Sequence, residues 1–232
     1  ENRAGAGGVT GLNGAAKAAP DGYTIAVATS GGIAINPVLI KDKIPYNVDK
    51  DFTYLYGMAA MPNIFIVNPS VPAKTMPELI AWLKANPGTP YATSGIGTSQ
   101  HICGEMLADA AGLKLSPVAY RASNQSLQDL IGGQIKLACD NFATAWEHVK
   151  GGKVRVVSIT SPGSYPLAKE VEPTSKTLPG FEMMPAFGWV GPAKIPADIA
   201  KKLTEELTAI GKIAEVRAAL EKFGVVQSEL SG

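Results

Sequence analysis

The sequence predicts an α/β fold, and three observations carry that prediction. Its 25 glycines and 17 prolines punctuate short aliphatic runs that read as buried strands rather than as disordered chain. From residue 91 onward, strand-like and helix-like segments alternate at the spacing of a parallel sheet built from right-handed crossovers. One of those strands ends in a small, glycine-rich loop that opens directly into a helix, at the strand end where open α/β sheets place their ligands. With 232 residues there is room for one large domain or two small ones.

In chain order, a glycine-rich turn over 5–8 runs into an Ala-rich helix over 9–19, which Pro20-Asp21-Gly22 ends, and 23–28 reads as a buried strand. A parallel sheet normally has a strand before its first glycine loop, so the beginning reads as truncated. Thr29-Ser30-Gly31-Gly32 puts small polar residues at a strand's C-terminal end and marks a second candidate site wall. From Asn36-Pro37 to Lys50 the chain lacks periodicity and reads as a surface excursion. Strands over 54–61 and 63–67 adjoin at Met61-Pro62, where the chain is expected to change sheet or domain. Apolar residues at 76, 79, 80 and 83 predict a helix over 76–85 with Thr75 as its N-cap and Asn86-Pro87-Gly88 as its stop.

Beyond the central loop come a strand (115–120), a helix (123–131), a strand (134–140), a helix (142–150) and a strand (154–159). Residues 160–184, rich in Pro, Gly, Ser and Lys, read as long surface connections. A strand over 186–192, a helix from Pro196, a second helix over 214–223 and a short strand over 224–226 follow, with no capping helix after them. Both ends therefore read as cut.

Composition and motifs narrow the chemistry. A net charge of +1 with 18% charged residues leaves no electrostatic footprint for nucleic acid and favours small-molecule partners. No apolar run reaches the ~18 residues that a membrane-spanning helix needs. Two cysteines, Cys103 and Cys139, exclude a cysteine metal cluster. They could approach one another, but both suit buried apolar positions, the more frequent fate. His101 and Glu105 share a helix face without the second histidine of a zincin motif, so a hydrogen bond or salt bridge is expected there. His148, in a polar run, reads as solvated, and Trp82, Trp146 and Trp189 are assigned to packing.

No G-x-S-x-G nucleophile elbow is present. Gly95-Ile96-Gly97 begins a dinucleotide fingerprint, but Gln100 stands where its third glycine belongs, and no phosphate-loop lysine follows. Neither an enzyme nor a cofactor is expected.

The binding candidates cluster at strand ends. Gly95 and Gly97 let the backbone turn and expose its amides, the first N–H groups of the following helix lack intrahelical partners, and Ser94, Thr98 and Ser99 add hydroxyl donors. A carboxylate or phosphate is well placed there, although a capped helix start is the commoner outcome for such a loop. Asp140-Asn141 ends a strand at the same edge, with ligand contact and helix capping equally open to Asp140. Tyr120-Arg121 ends another; Arg121 could clasp a carboxylate, but an exposed arginine is the commoner case.

Several blocks in order resemble one family: Gly-x-Gly-Gly at 5–8, Ala19-Pro20-Asp21-Gly22-Tyr23-Thr24, Ile35-Asn36-Pro37, Ser94-Gly95-x-Gly97-Thr98 with His101 and Gly104-Glu105, Leu127-Gln128-Asp129-Leu130 with Gly132-Gly133-Gln134, Asp140-Asn141, and Gly191-Pro192-Ala193. Together they span nearly the whole chain and resemble the periplasmic solute-binding proteins of the tripartite tricarboxylate transporter type, the Bug family. The resemblance implies a two-lobed, type II periplasmic-binding-protein fold, each lobe a mixed, mostly parallel sheet flanked by helices. It places the first lobe at 1–64 plus 189–232 and the second at 65–188.

It also implies a monomeric periplasmic receptor that traps a small carboxylate (a dicarboxylate, an acidic amino acid or an aromatic carboxylate) and passes it to membrane permease subunits, without chemistry. A ligand-sensing subunit of a membrane signalling protein, or an enzyme on a similar scaffold, is the alternative. By the same resemblance Ser94, Gly95, Ile96, Gly97, Thr98 and Ser99 hold the carboxylate through ordered water, and Ser30, Asn36, Tyr120, Arg121, Asp140 and Phe187 form the walls and distal contacts. A first strand, loop and helix are expected ahead of Glu1, and a helix after Gly232. The family's common Tyr-Lys-Gly is here Tyr120-Arg121-Ala122, so the rim that selects the ligand's far end is unusual.

Overall fold

The computed structural model describes residues 1–227. α1 (Val9–Ala16) starts after Gly8, held at φ 94°, and buries Val9, Leu12 and Ala15 at helical spacing. β1 (Ala26–Thr29) follows. Where the sequence predicts a small, polar strand end and an aperiodic excursion, the chain instead forms a π-helical turn (Gly31–Ile35) continuous with α2 (Asn36–Leu39). The reason is packing: a side chain on Gly32 would collide with Leu12, and the Tyr46 hydroxyl donates to the Gly32 carbonyl at 2.8 Å. Pro37 falls in the first turn of α2, where its missing N–H costs nothing.

β2 (Phe52–Ala60) and β3 (Asn63–Val67) flank Met61-Pro62 as expected. α3 (Met76–Ala85) is set by its cap: Thr75 accepts the Glu78 N–H at 3.4 Å, and the Glu78 carboxylate takes the Lys74 N–H at 2.7 Å. The alternation is realised by β4 (Thr89–Thr93), α4 (Ser99–Ala111), β5 (Leu115–Ala119), α5 (Ser123–Gly132), β6 (Leu137–Asn141), α6 (Phe142–Lys150) and β7 (Arg155–Ile159). Gly112 and Gly133, at φ 62° and 78°, end α4 and α5. β8 (Ala186–Pro192), α7 (Ala197–Lys212), α8 (Ala214–Lys222) and β9 (Val226–Gln227) complete the described chain. The expectation that no capping helix follows lies outside the described residues.

The chain divides into two compact units, Glu1–Ala60 with Pro185–Gly232, and Met61–Met184. The crossings precede the expected 64/65 and 188/189 for a reason visible in the pairing. Asn63 and Ile64 already pair with Asn141 and Asp140 in the second sheet, while Ala186, Phe187 and Gly188 pair with Ala60, Ala59 and Gly57 in the first.

In the first unit the strand order is β1-β8-β2-β9, and the pairs are antiparallel throughout. This departs from the mostly parallel sheet expected of each lobe. The parallel expectation rests on strands linked by crossover helices, whereas β8 returns to this sheet after the whole second unit and inserts between β1 and β2. Val9, Leu12, Ala15, Ala28, Tyr46, Phe52 and Val190 form the unit's core.

The second sheet, β5-β4-β6-β3-β7, is mixed: β4 runs parallel to β5 and β6, and β3 runs antiparallel to β6 and β7. Helices cover both of its faces, so β3 is buried at every position. Ile64 and Ile66 join a core with Leu127, Leu130, Phe142 and Trp146, and Phe65 and Val67 join another with Leu79, Leu83, Tyr91 and Leu107. Cys103 of α4 and Cys139 of β6 are disulfide-bonded, with Cα atoms 6.3 Å apart. Both are also buried, so the apolar reading of these cysteines was incomplete: they pack in the core and are bonded there.

Candidate functional site

Because β4, β5 and β6 are parallel, their C-terminal ends share one edge of the second sheet. Thr93, Ala119 and Asn141 end them, so the loop over 94–98, Tyr120-Arg121 and Asp140-Asn141 gather there as the sequence predicts. The antiparallel β3 begins at this edge, with Asn63 opposite Asn141.

The loop is built by its own polar groups. Gly95 and Gly97 adopt φ 128° and 76°, conformations that favour glycine. The Gly95 N–H donates to Thr93 Oγ1 at 3.1 Å, and the Thr98 hydroxyl donates to the Gly95 carbonyl at 2.7 Å. Thr98 is the N-cap of α4, its Oγ1 accepting the His101 N–H at 3.3 Å. The Ser94 hydroxyl donates to Gln100 Oε1 at 2.9 Å. Ser94 and Thr98, expected to offer hydroxyls to a ligand, are thus engaged in shaping the loop. Among the described residues, the N–H groups of Ser99 and Gln100 at the head of α4 find no protein acceptor. They lie at the positive end of a 13-residue helix and are the groups best placed to receive an anion.

Gln100 is the residue that sequence reasoning passed over. It is noticeable in the sequence only as the side chain that spoils a dinucleotide fingerprint. In the fold it is buried and joins the loop to β6: its Nε2 donates to Asp140 Oδ1 at 3.2 Å and to Ser123 Oγ at 3.3 Å. Asp140 is 2% exposed, and burial pushes its carboxyl up to about 6, opposed by the bonds from Gln100, the Asn141 N–H at 2.7 Å and Ser123. The capping role left open for Asp140 is not realised, because the N-cap position of α6 belongs to Asn141.

Asn63 is a second omission. Both side-chain polar atoms are buried and without a partner among the described residues, and its register partner Asn141 takes the Ser99 hydroxyl at 3.5 Å. A buried orphan amide under the head of α4 provides a donor and an acceptor for a water or a ligand group.

Tyr120 turns toward α5, its hydroxyl donating to Asp129 Oδ2 at 2.7 Å; burial first, then that carboxylate, pushes the phenol up to about 12. Arg121 is exposed. His101 and Glu105 make the polar contact expected of them, Nε2 lying 3.9 Å from Oε1. Among the described residues no group of three or more His, Cys, Asp or Glu could hold a metal ion.

The other candidates lie in the first unit. Ser30 and Phe187 border a groove of about 330 Å³ whose walls include Tyr54, Tyr56 and Trp189. Trp189 is thus a groove wall as well as a packing residue. The Ser30 hydroxyl donates to the Ala186 carbonyl at 3.3 Å and accepts the Ala186 N–H at 2.8 Å. Asn36 is buried.

The sequence model of the tripartite tricarboxylate transporter family receptor matches residues 1–230. The chain belongs to this family. Relatives of this chain include a UPF0065 protein from the tcbD-tcbE intergenic region of Pseudomonas sp. strain P51, 29% identical over 228 residues, covering 97% of this chain and 67% of that one. Protein BugT of Bordetella pertussis is 31% identical over 162 residues, covering 69% of this chain and 50% of that one.

Solved structures that this chain resembles include a periplasmic transporter at 33% identity and TM-score 0.95, covering 100% of this chain and 78% of that one. An R. palustris protein with adipate gives 26% identity and TM-score 0.95, with the same coverages of 100% and 78%. MatC from Rhodopseudomonas palustris with bound malate gives 27% and 0.89, covering 96% and 76%. The fold is therefore that of periplasmic solute-binding proteins. No helix among the described residues is long and apolar enough to cross a membrane.

Proposed function

We propose that this chain is the carboxylate-capturing part of a periplasmic receptor that delivers its ligand to the permease subunits of a tripartite tricarboxylate transporter, acting as a monomer and without chemistry on the ligand. The observation that carries the proposal is the head of α4, where the N–H groups of Ser99 and Gln100 lack acceptors at a helix N-terminus among the parallel strand ends. Asn63, buried and unpartnered beside them, suits the ordered water through which a carboxylate is held. The bound adipate and malate of two similar proteins support a small dicarboxylate as ligand.

The test is calorimetry with malate, adipate, aspartate and benzoate, paired with thermal unfolding. A true ligand at a hundredfold its Kd raises apparent stability by ~2.7 kcal/mol, and mass analysis returns it unaltered. No heat and no thermal shift across the panel would remove the carboxylate reading. A changed ligand mass would make the protein an enzyme.

A further inference from the structure

Among the described residues, His101 is a titratable side chain bonded directly to the anion loop. It sits in the first turn of α4, 8% exposed, and its Nδ1 accepts the Gly97 N–H at 3.3 Å. An imidazole nitrogen that accepts is unprotonated, so the ring proton of the neutral side chain belongs on Nε2, which faces Glu105 Oε1 at 3.9 Å. The rest of the residue is fixed as well. Its N–H goes to Thr98 Oγ1, and its carbonyl takes the Tyr91 hydroxyl at 3.1 Å. The same hydroxyl reaches Glu105 Oε1 at 2.7 Å.

These bonds fix the His101 backbone, while the ring itself is held by its burial and by the Gly97 bond. Protonation would add an N–H to Nδ1 and set two donors against each other across the Gly97 bond. The new charge would be paired with Glu105.

We propose that His101 is a positioning residue that holds the Gly95–Thr98 backbone in its anion-binding shape while neutral and releases it when protonated, so that carboxylate capture is strong at neutral pH and weakens in acid. This rests on the carboxylate reading of the site. The titratable groups recorded around the ring are Glu105 on α4 and Tyr91 on β4; Asp140 on β6 reaches the loop separately, through Gln100 and Ser94. Burial holds the imidazole below its ordinary range, against the pull of Glu105. Release is thus expected in acid, below the ordinary imidazole range.

Nitrogen-resolved NMR of the ligand-free chain between pH 4.5 and 8 tests the bond. The expected result is an accepting Nδ1 at neutral pH and a Gly97 amide signal that shifts with the same midpoint as the His101 ring. His101→Asn, whose side-chain oxygen can replace Nδ1 as acceptor, should abolish that shift. Calorimetry with malate and adipate tests the gating: about tenfold weaker binding at pH 5 than at pH 7.5, retained in Asp140→Asn and reduced in His101→Asn to the loss caused by protonation of the ligands' own carboxylates.

A protonated Nδ1 at neutral pH, or a Gly97 signal indifferent to His101, overturns the latch, and the wild-type spectra decide this even if the variant fails to fold. Binding that is equal or tighter at pH 5 also overturns it. Binding of no carboxylate at any pH overturns the receptor reading instead, and the gating with it.

Discussion

Replacing Asp140 with Asn should change how the protein's stability depends on pH. Asp140 is fully buried, and its carboxyl rises from 3.8 to about 6 on folding, with desolvation the leading cause. The folded state binds this proton more tightly than the unfolded chain does. The stability that follows is fully present below the unfolded value and is lost as pH rises through the folded one. Integrated over both equilibria, the group disfavours folding by about 1 kcal/mol at pH 4.5 and about 3 kcal/mol at pH 7.5, a difference of about 2 kcal/mol. Asparagine keeps an oxygen to accept from Gln100 and the Asn141 N–H, and its new N–H groups face Ser123, whose hydroxyl can accept.

The assay is urea unfolding of both proteins at several pH values, compared as a difference. His101, lowered by burial, contributes stability that is present above its ordinary value and lost in acid, but it is common to both proteins and cancels. The expected result is an Asp140→Asn variant that gains on the wild type by about 2 kcal/mol between pH 4.5 and 7.5. Parallel stability curves would refute the claim that a carboxyl whose burial outweighs its hydrogen bonds lies beneath the loop.

Three further outcomes follow from the same structure. Asn63→Leu removes two buried unsatisfied polar atoms and should raise the unfolding free energy by about 1–3 kcal/mol while weakening carboxylate binding; a stability loss would mean that Asn63 is satisfied in solution. Reduction of Cys103–Cys139, which closes a separation of 36 residues within one hydrophobic core, should cost about 4 kcal/mol on the chain-entropy estimate, read as the unfolding midpoint with and without reductant. Gly104→Ala would drive a methyl group into the fully buried Tyr91 ring and should destabilise by about 1–3 kcal/mol; an unchanged midpoint would show that the ring has room to move.

What the sequence could show was set by how local the cause is. α3 was readable because period, cap and stop all lie within one segment, and Thr75 performs the capping expected of it. Gly31 to Leu39 was not, because what keeps it helical is contact with Leu12 and Tyr46, which no window around Gly31-Gly32 contains. The antiparallel insertion of β8 between β1 and β2 is likewise a pairing between distant parts of the chain, and aliphatic strands carry no mark of their neighbours.

At the candidate site, glycines and hydroxyls revealed the loop but not which groups its own folding would occupy. Thr98 and Ser94 are turned inward, so the amides behind them become the anion-facing groups. Gln100 and Asn63 escaped notice because a lone amide side chain has no motif; its meaning comes from what it meets when buried.

The most direct measurement of the central claim is an amide-resolved NMR titration of the labelled chain with malate and with adipate. If carboxylates are captured at the head of α4, the largest saturable shifts will fall on the Ser99 and Gln100 amides and on the Asn63 side-chain amide. Saturable binding that leaves those signals unmoved, or no saturable binding at all, would contradict the account.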